Sequence, residues 1–418
     1  MSKKLSELEK TAFSSKLTTF DAISSLKIRS KTGKWLPTKK ILLKILYITH
    51  YTELYGANRS LLALLGMMQK NRGIHVLVPA NGSITEVLGN LQIPYSVANF
   101  HDEYYYKTGF SRFLGLKRHL QNRWHFKQVK SLVEHIAPDL IHSNSAGLHV
   151  GARLAKALSV PHIWHIREFG LQDYKAVHNL GEAHHLKWLN RASHLIAISK
   201  AIKTEALQNV RAPLSVVYNG VMPQAKMQGI PPKKTKGKVV FTLAGAFRQE
   251  KGQHKAVAAF IELSKKFPNA ELHLPGDASN PYGQQVQKIA EAAGLAQRVY
   301  FPGFVEDLEA LYQESDVLLM CSQNEAMGRV TAEAFAHRIP VIAYEGGANP
   351  ELVSHKKDGL LYKSDAELIV AMQQLAKDAD LRRQMGEAGH KKALTLFTEE
   401  HYVKSVEQVY KKVLKQEQ

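Results

Sequence analysis

Cysteine is almost missing: Cys321 stands alone among 418 residues, so neither a disulfide framework nor a cysteine zinc site can form. Long apolar runs are missing too. The longest, residues 41–49, is broken by Lys44 and falls far short of the 18 or so residues a membrane helix needs. No segment of signal-peptide character precedes residue 41. The expected location is therefore cytoplasmic, either free or peripheral at the inner face of the membrane. No Gly-x-Gly-x-x-Gly follows a candidate strand, which argues against a dinucleotide dehydrogenase. His-Glu-x-x-His spacing is absent although histidine occurs 20 times, and no metal site is expected. Acidic residues are in deficit, 37 against 56 Lys and Arg, which leaves a net charge of +19. That imbalance calls for an anionic partner: a phosphorylated ligand, an acidic membrane surface or nucleic acid.

What is present reads as an α/β chain of several units. Residues 1–40 form a basic extension with ten Lys or Arg against three acids. Its apolar residues Phe13, Leu17, Phe20, Ile23 and Leu26 recur at helical spacing, as in a packed extension or a basic interfacial helix. From residue 41 short β-rich runs alternate with amphipathic stretches; the runs are 45–49, 75–78, 140–142, 162–166 and 195–198. A second series follows at 239–243, 271–274, 299–301, 317–320 and 340–343. Alternation of this kind implies βαβ units and two parallel, Rossmann-like sheets. The expected domains are 41–221 and 239–395, with a Pro- and Lys-rich linker at 222–238 and a final helical segment at 396–418. Two such halves imply a cleft, and ligands in such sheets bind beyond the carboxyl ends of the strands.

The most informative stretch is Ser322-Gln-Asn-Glu-Ala-Met-Gly-Arg-Val-Thr-Ala-Glu-Ala-Phe-Ala336. A strand ends before it and a helix is expected to begin near Gly328. Glu325 falls in the loop and Glu333 in the helix, where eight residues advance about 12 Å. Two acceptors at that separation can hold hydroxyls at the two ends of a sugar–diphosphate–ribose. The helix N-terminus between them offers free N–H groups to the diphosphate. Two further loops follow strands: Ala244-Gly-Ala-Phe-Arg-Gln-Glu-Lys-Gly252, and Tyr55-Gly-Ala-Asn-Arg-Ser-Leu-Leu62, where Gly56 would admit a phosphate closely.

Taken with Gly346-Gly-Ala-Asn-Pro-Glu351, the Glu325-x₇-Glu333 segment resembles the donor site of retaining GT-B glycosyltransferases of family 4, and the resemblance runs from residue 41 almost to the end. It implies two Rossmann-like domains facing across a cleft, with the final helix crossing back to the first. It also implies that Glu325 and the loop residues Ala326, Met327 and Gly328 hold the transferred sugar and phosphate, with Arg329 beside them. Glu333 would take the ribose hydroxyls. Lys251 and Gly252 match the family's Arg-x-x-x-x-Lys-Gly loop; its Arg position is Ala246 here, and Arg248 is the expected substitute. Gly56 corresponds to the second glycine of the family's Gly-Gly-Ala loop. In Pro161-His-Ile-Trp-His-Ile-Arg-Glu-Phe-Gly170 the family's sugar-facing His position is Arg167, with His165 two residues back; either could meet the substrate. Arg338 stands where the family usually has glycine.

The activity implied is retaining transfer of a sugar from a nucleotide-diphosphate sugar to a glycan or lipid-linked acceptor, in cell-surface polysaccharide or glycoconjugate synthesis. No cofactor or essential metal is implied, since cations in the loop would neutralise the leaving diphosphate. Rival readings are a sugar-nucleotide epimerase of related fold and a non-catalytic partner subunit. Residues 103–136 interleave Tyr104, Tyr105, Tyr106, Phe110, Phe113, Trp124 and Phe126 with Lys and Arg. Contact with an anionic membrane, or an ordinary amphipathic helix, fits that segment better than nucleic acid. Asp378-Ala-Asp380 reads as a helix boundary rather than a metal site.

Overall fold

The computed structural model describes residues 43–106, 111–233, 237–305 and 308–416. The basic extension at 1–40, with its expected amphipathic helix, lies outside these residues, as do Lys107 and Phe110. The first-domain strands are β1 (Lys44–Ile48), β2 (Gly73–Val78), β3 (Tyr95–Val97), β4 (Tyr104–Tyr106), β5 (Leu140–Ser143), β6 (His162–Ile166), β7 (Ala176–His178), β8 (His194–Ala197) and β9 (Leu214–Val216). Seven of them form one parallel sheet in the order β3-β2-β1-β5-β6-β8-β9, while β4 and β7 pair antiparallel beside it. The second sheet is built from β10 (Val239–Thr242), β11 (Ala270–His273), β12 (Val299–Tyr300), β13 (Val317–Met320), β14 (Val341–Tyr344) and β15 (Gly359–Tyr362). Its order is β12-β11-β10-β13-β14-β15, again all parallel.

The central strands β5, β6, β8 and β13 are buried at every position, because helices cover both sheet faces. The helices used below are α1 (Gly56–Met68), α2 (Ser111–Ile136), α3 (His149–Leu158), α4 (Glu182–Leu189), α5 (Gln224–Gln228), α6 (Gln253–Ser264), α7 (Arg329–Ala336) and α8 (Glu399–Gln416). In each sheet the strand order reverses next to the first strand of that sheet, between β1 and β5 and between β10 and β13. Loops part at such a point and leave a crevice, which fixes where a ligand can enter.

Two expectations need correction. Residues 222–238 are not a plain linker: α5 lies within them, and Met222 and Met227 are buried where core residues of both sheets meet. The sheets also gain β3, β9 and β15, which carry no strong alternation because two are three-residue edge strands. Asp378 is the N-cap of the next helix, its side chain accepting from the Leu381 N–H, in line with a helix boundary.

The final helix α8 packs against α1 on the first sheet. Tyr402, Val406, Val409, Tyr410 and Val413 make one buried stripe at helical spacing. Tyr410 Oη lies 2.9 Å from Tyr47 Oη and 2.7 Å from His142 Nδ1, so the last helix completes a polar cluster inside the first domain. The chain crosses back where Val221 N donates to Phe397 O and Glu399 N to Met222 O. A Cβ on Gly220 would come within 2.7 Å of Glu399 Cα, so only glycine allows this crossing. Arg338 also finds its explanation: its φ of +60° is the left-handed region where glycine is the easy choice. Contacts to Ile230 O and the Glu387 carboxylate hold the arginine there.

Candidate donor and acceptor cleft

Loops from the two switch points face each other across a cleft of about 1010 Å³. It is lined by Gly56, Arg167, Arg248, Lys251, Glu325, Ala326, Met327, Gly328, Arg329 and Glu333, which brings ten of the eleven expected site residues together. His165 is the exception. It is fully buried and does not line the cleft; its Nδ1 lies 3.3 Å from His142 Nε2 and 3.3 Å from Arg167 Nη2. The reason is local. His165 still belongs to β6, inside the sheet, whereas Arg167 lies just past the strand end, where the chain turns into the crevice.

On the second-domain side β13 runs into the loop carrying Glu325. Its Oε2 accepts from Lys251 Nζ at 2.7 Å and its Oε1 from the Gly328 N–H at 3.2 Å. Burial pushes the Glu325 carboxyl up, but the Lys251 ammonium and the donors at Gly328 and Ser322 outweigh it and hold it below the usual value. Gly328, at φ +57°, caps α7 and aims that helix's free N–H groups at the cleft. Lys251 ends a single 3₁₀ turn, and Gly252 at φ +74° starts α6. A Cβ on Gly252 would come within 2.8 Å of Cys321 Cβ, so the loop carrying Lys251 lies directly on the end of β13. Arg248 reaches across the cleft, its guanidinium carbon 5.4 Å from the Tyr174 ring centre.

Glu333 and Arg329 share the first two turns of α7. Arg329 Nε donates to Glu333 Oε1 at 2.7 Å, and Tyr312 Oη donates to Glu333 Oε2 at 2.7 Å. The other arm of Arg329 donates to Ser60 Oγ on α1 and to Gly220 O. One side chain therefore orients the expected ribose acceptor and ties the two domains together.

On the first-domain side Arg167 is held from every direction. It donates to Asn144 Oδ1 at 2.7 Å, to Asn219 Oδ1 at 2.6 Å and to Tyr402 Oη at 2.9 Å. An ion pair between Arg167 and Glu168 is absent among these contacts. The Glu168 carboxylate instead accepts from Ser145 Oγ and from the Ala146 N–H. Burial raises Glu168 to about 7 against the donor from Ser145, with Asp173 adding repulsion. Asp173 is raised to about 6 by burial, with Glu325 across the cleft contributing after the lowering effect of the Phe169 N–H.

Glu168, Asp173, Tyr174, Tyr104 and Asn219 line the cleft and were not singled out from the sequence as site residues. Glu168 had a signal, an acid immediately after the Arg167 position. The segment at Asn219 and Gly220 brings Asn219 Nδ2 to within 3.0 Å of Met327 Sδ. Near Gly56, buried Asn58 donates to Tyr51 O and Glu53 O and accepts from Thr49 Oγ1, which shapes the first-domain loop.

Two family models match consecutive parts of the chain. Residues 55–225 match Glycosyltransferase Family 4, and residues 226–392 match Glycosyl transferases group 1. The N-acetyl-alpha-D-glucosaminyl L-malate synthase of Bacillus anthracis is 32% identical over 171 residues, 40% of this chain and 44% of that protein. The GDP-mannose-dependent alpha-(1-6)-phosphatidylinositol monomannoside mannosyltransferase of Mycobacterium tuberculosis is 33% identical over 150 residues, 33% of this chain and 38% of that protein. The chain thus spans less than half the length of these two curated relatives. In three dimensions, Anabaena HepE, solved with UDP and glucose, superposes with a TM-score of 0.72 at 23% identity, covering 88% of this chain and all of that one. TarM superposes with a TM-score of 0.69 at 11% identity, covering 90% of this chain and all of that one. With two parallel sheets meeting at their switch points and a family model over each half, the chain belongs to the family 4 glycosyltransferases of GT-B fold.

Proposed function

We propose that this chain is a retaining glycosyltransferase that moves a sugar from a nucleotide-diphosphate sugar to a glycan or lipid-linked acceptor. The observation that carries the reading is the Lys251–Glu325 pair, 2.7 Å apart at the capped N-terminus of α7. A diphosphate seated there meets the Lys251 ammonium, the Arg248 guanidinium and the free N–H groups of α7. As the sugar C1–O bond lengthens, negative charge grows on the departing phosphate, and cations fixed beforehand favour that state over the ground state. Glu325 keeps its charge beside the sugar ring and steadies the positive character that develops there. The acceptor hydroxyl attacks C1 from the face the phosphate is leaving, and its proton passes to a phosphate oxygen. Configuration is retained, and no divalent ion is needed at the diphosphate.

Relatives support the donor class without fixing the base, since one neighbour was solved with UDP and one relative is named for GDP-mannose. Incubating the pure chain with UDP-, GDP-, ADP- and CMP-sugars tests the proposal. The expected result is nucleotide release from one of them, with turnover unchanged when a chelator is added together with the substrates. No release and no thermal shift with any donor would overturn it. Interconversion of the donor to its epimer without nucleotide release would point to the epimerase reading.

The acceptor reading includes a membrane surface. Phe113, Leu116, Leu120 and Trp124 follow helical spacing on α2 and are 71%, 47%, 57% and 83% exposed. Lys117, Arg123 and Lys127 flank that stripe. Insertion of the aromatics with basic neighbours at anionic headgroups suits a peripheral protein on the cytoplasmic leaflet. No described helix is long and apolar enough to cross a membrane. Sedimentation with anionic vesicles at low salt, lost with neutral vesicles or in Trp124→Glu, is the expected outcome. No pelleting with anionic vesicles would leave a water-soluble acceptor.

A further inference from the structure

Behind the first-domain wall of the cleft lies a group of histidines that the transfer reaction does not use. His149 opens α3, His178 ends β7 and His185 lies in α4; all three are buried. Their candidate ligand nitrogens all lie within 4.8 Å of one another. His149 Nε2 and His185 Nδ1 are 2.8 Å apart, and the ring of His178 stacks on that of His185 at 3.5 Å. Apolar and aromatic surroundings close the group off: Trp164 meets both His149 and His185 edge-on, and the Tyr104 ring centre is 4.6 Å from that of His178.

Such a cluster leaves polar groups unsatisfied. His178 Nδ1 is buried without a hydrogen-bond partner, a costly arrangement for a ring nitrogen away from water. The same ring's Nε2 faces the Glu182 carboxylate at 3.7 Å. That is longer than a hydrogen bond, but a carboxylate close to one nitrogen with the other left open needs only a small shift to orient the ring as a metal ligand.

We propose that His149, His178 and His185 bind one divalent transition-metal ion of nitrogen preference, with zinc as the working case. Three neutral imidazoles suit such an ion far better than Mg²⁺ or Ca²⁺, which take oxygen ligands. Zinc–nitrogen bonds of about 2.0–2.1 Å place tetrahedral ligand nitrogens roughly 3.3 Å apart. The His149–His185 pair must open slightly to reach that, and His178 must turn out of its stack, so that Nδ1 points inward while Nε2 keeps Glu182. A water takes the fourth position.

The ion would join the start of α3, the end of β7 and α4. β7 carries β4, whose Tyr104 and Tyr106 line the cleft. The role assigned is structural, bracing the acceptor-side hairpin, and it stands apart from the metal-free chemistry proposed at the diphosphate. It holds or fails independently of that reading.

The test uses the full chain without a histidine tag, stripped with a chelator, dialysed and titrated with Zn²⁺ against a chromophoric competitor. One equivalent should bind with submicromolar affinity, and Co²⁺ in its place should give the visible absorption of a tetrahedral site. His149→Gln and His185→Gln should each weaken binding by about 100-fold or more. Glu182→Gln, on the exposed rim, should weaken it about 10–100-fold. His119→Gln should change nothing, because that ring pairs with Glu103 instead. Zinc should also slow amide exchange in β4 and β7. If the buried substitutions prevent folding, the wild-type titration and Glu182→Gln decide the matter. Absence of a stoichiometric site in the wild-type chain would overturn the proposal, leaving a hydrogen-bonded histidine core. Equal affinity in Glu182→Gln, or in the His149→Gln/His185→Gln double variant, would do the same by assigning the zinc to surface histidines.

Discussion

Lys251 and Glu325 meet although 74 positions separate them in the chain, and the pair sets the sharpest expectation at the residue scale. Glu325→Gln should lower turnover about tenfold to a hundredfold, the 1.5–3 kcal/mol typical of a hydrogen bond to a charged group. Donor affinity should change less. Glu333→Ala should do the reverse and weaken nucleotide binding, since its carboxylate is already aimed by Arg329 and Tyr312. Steady-state kinetics beside calorimetric nucleotide titration separate the two effects, and wild-type values in both variants would refute the donor-site assignment. Gly252→Ala should destabilise the fold by about 2–4 kcal/mol in urea unfolding, combining left-handed strain with overpacking against Cys321. The acids and Lys251 were legible in the sequence because motif and chemistry agree. Arg167 and His165 were not separable there. Which of two strand residues reaches a crevice depends on where the strand stops, and that is settled by sheet register. The histidine triad was illegible for another reason: gaps of 29 and 7 residues match no local spacing, and the fold alone assembles it.

At the scale of elements, α8 is the piece whose role sequence and structure describe alike, an amphipathic helix returning to the first domain. Its contribution goes beyond apolar packing. Tyr410→Phe removes the partner of both Tyr47 Oη and His142 Nδ1 in a fully buried setting. The cost should be about 1–3 kcal/mol for the groups left unpaired, read as a lower urea midpoint with an unchanged slope. A change within error would mean that a water replaces the hydroxyl. Short edge strands such as β3 and β9 escaped sequence reading because three residues cannot display an alternation. The segment 222–238 misled for a related reason. Its prolines and lysines outweigh two methionines in composition, yet those methionines are what the fold buries. Likewise the mixed basic and aromatic character of 103–136 was visible, but not its division. Glu103 turns inward to His119, Asn122 and Asn179, while Trp124 faces out.

For the whole molecule the most accessible consequence is its response to acid. Outside the proposed metal site, His142, His162 and His165 are buried and His50 is half-buried at the cleft, and loss of hydration lowers each below its usual value, His50 to about 4 and His162 to about 3. In the unfolded chain these rings take up protons below about pH 6.5 while the folded chain does not, so stability is lost as pH falls through that value. Glu168 and Asp173 act in the opposite sense. Raised to about 7 and about 6, they hold protons that the unfolded chain has released, so they favour folding as pH falls. Histidines lowered by burial outnumber the carboxylates raised by it, so the net effect is a loss of stability as pH falls below about 6. Urea midpoints across that range measure it. Glu168→Gln removes part of the opposition and should steepen the loss; an unchanged slope would show that Glu168 is ionised in the folded chain.

The crossing of α8 also dictates an order of events when the protein is made. Strand β1 and its neighbours leave the ribosome early, but the partners of Tyr47, His142 and Arg167 lie at Tyr410 and Tyr402, 235 to 363 positions later in the chain. The half synthesised first must therefore wait with an open flank for the half synthesised last, whereas the second sheet can close on segments already at hand. Domains that emerge first usually finish first. Here the later sheet is the one able to mature alone, and a nascent chain halted before residue 399 would present α1 and the buried face of the first sheet to chaperones.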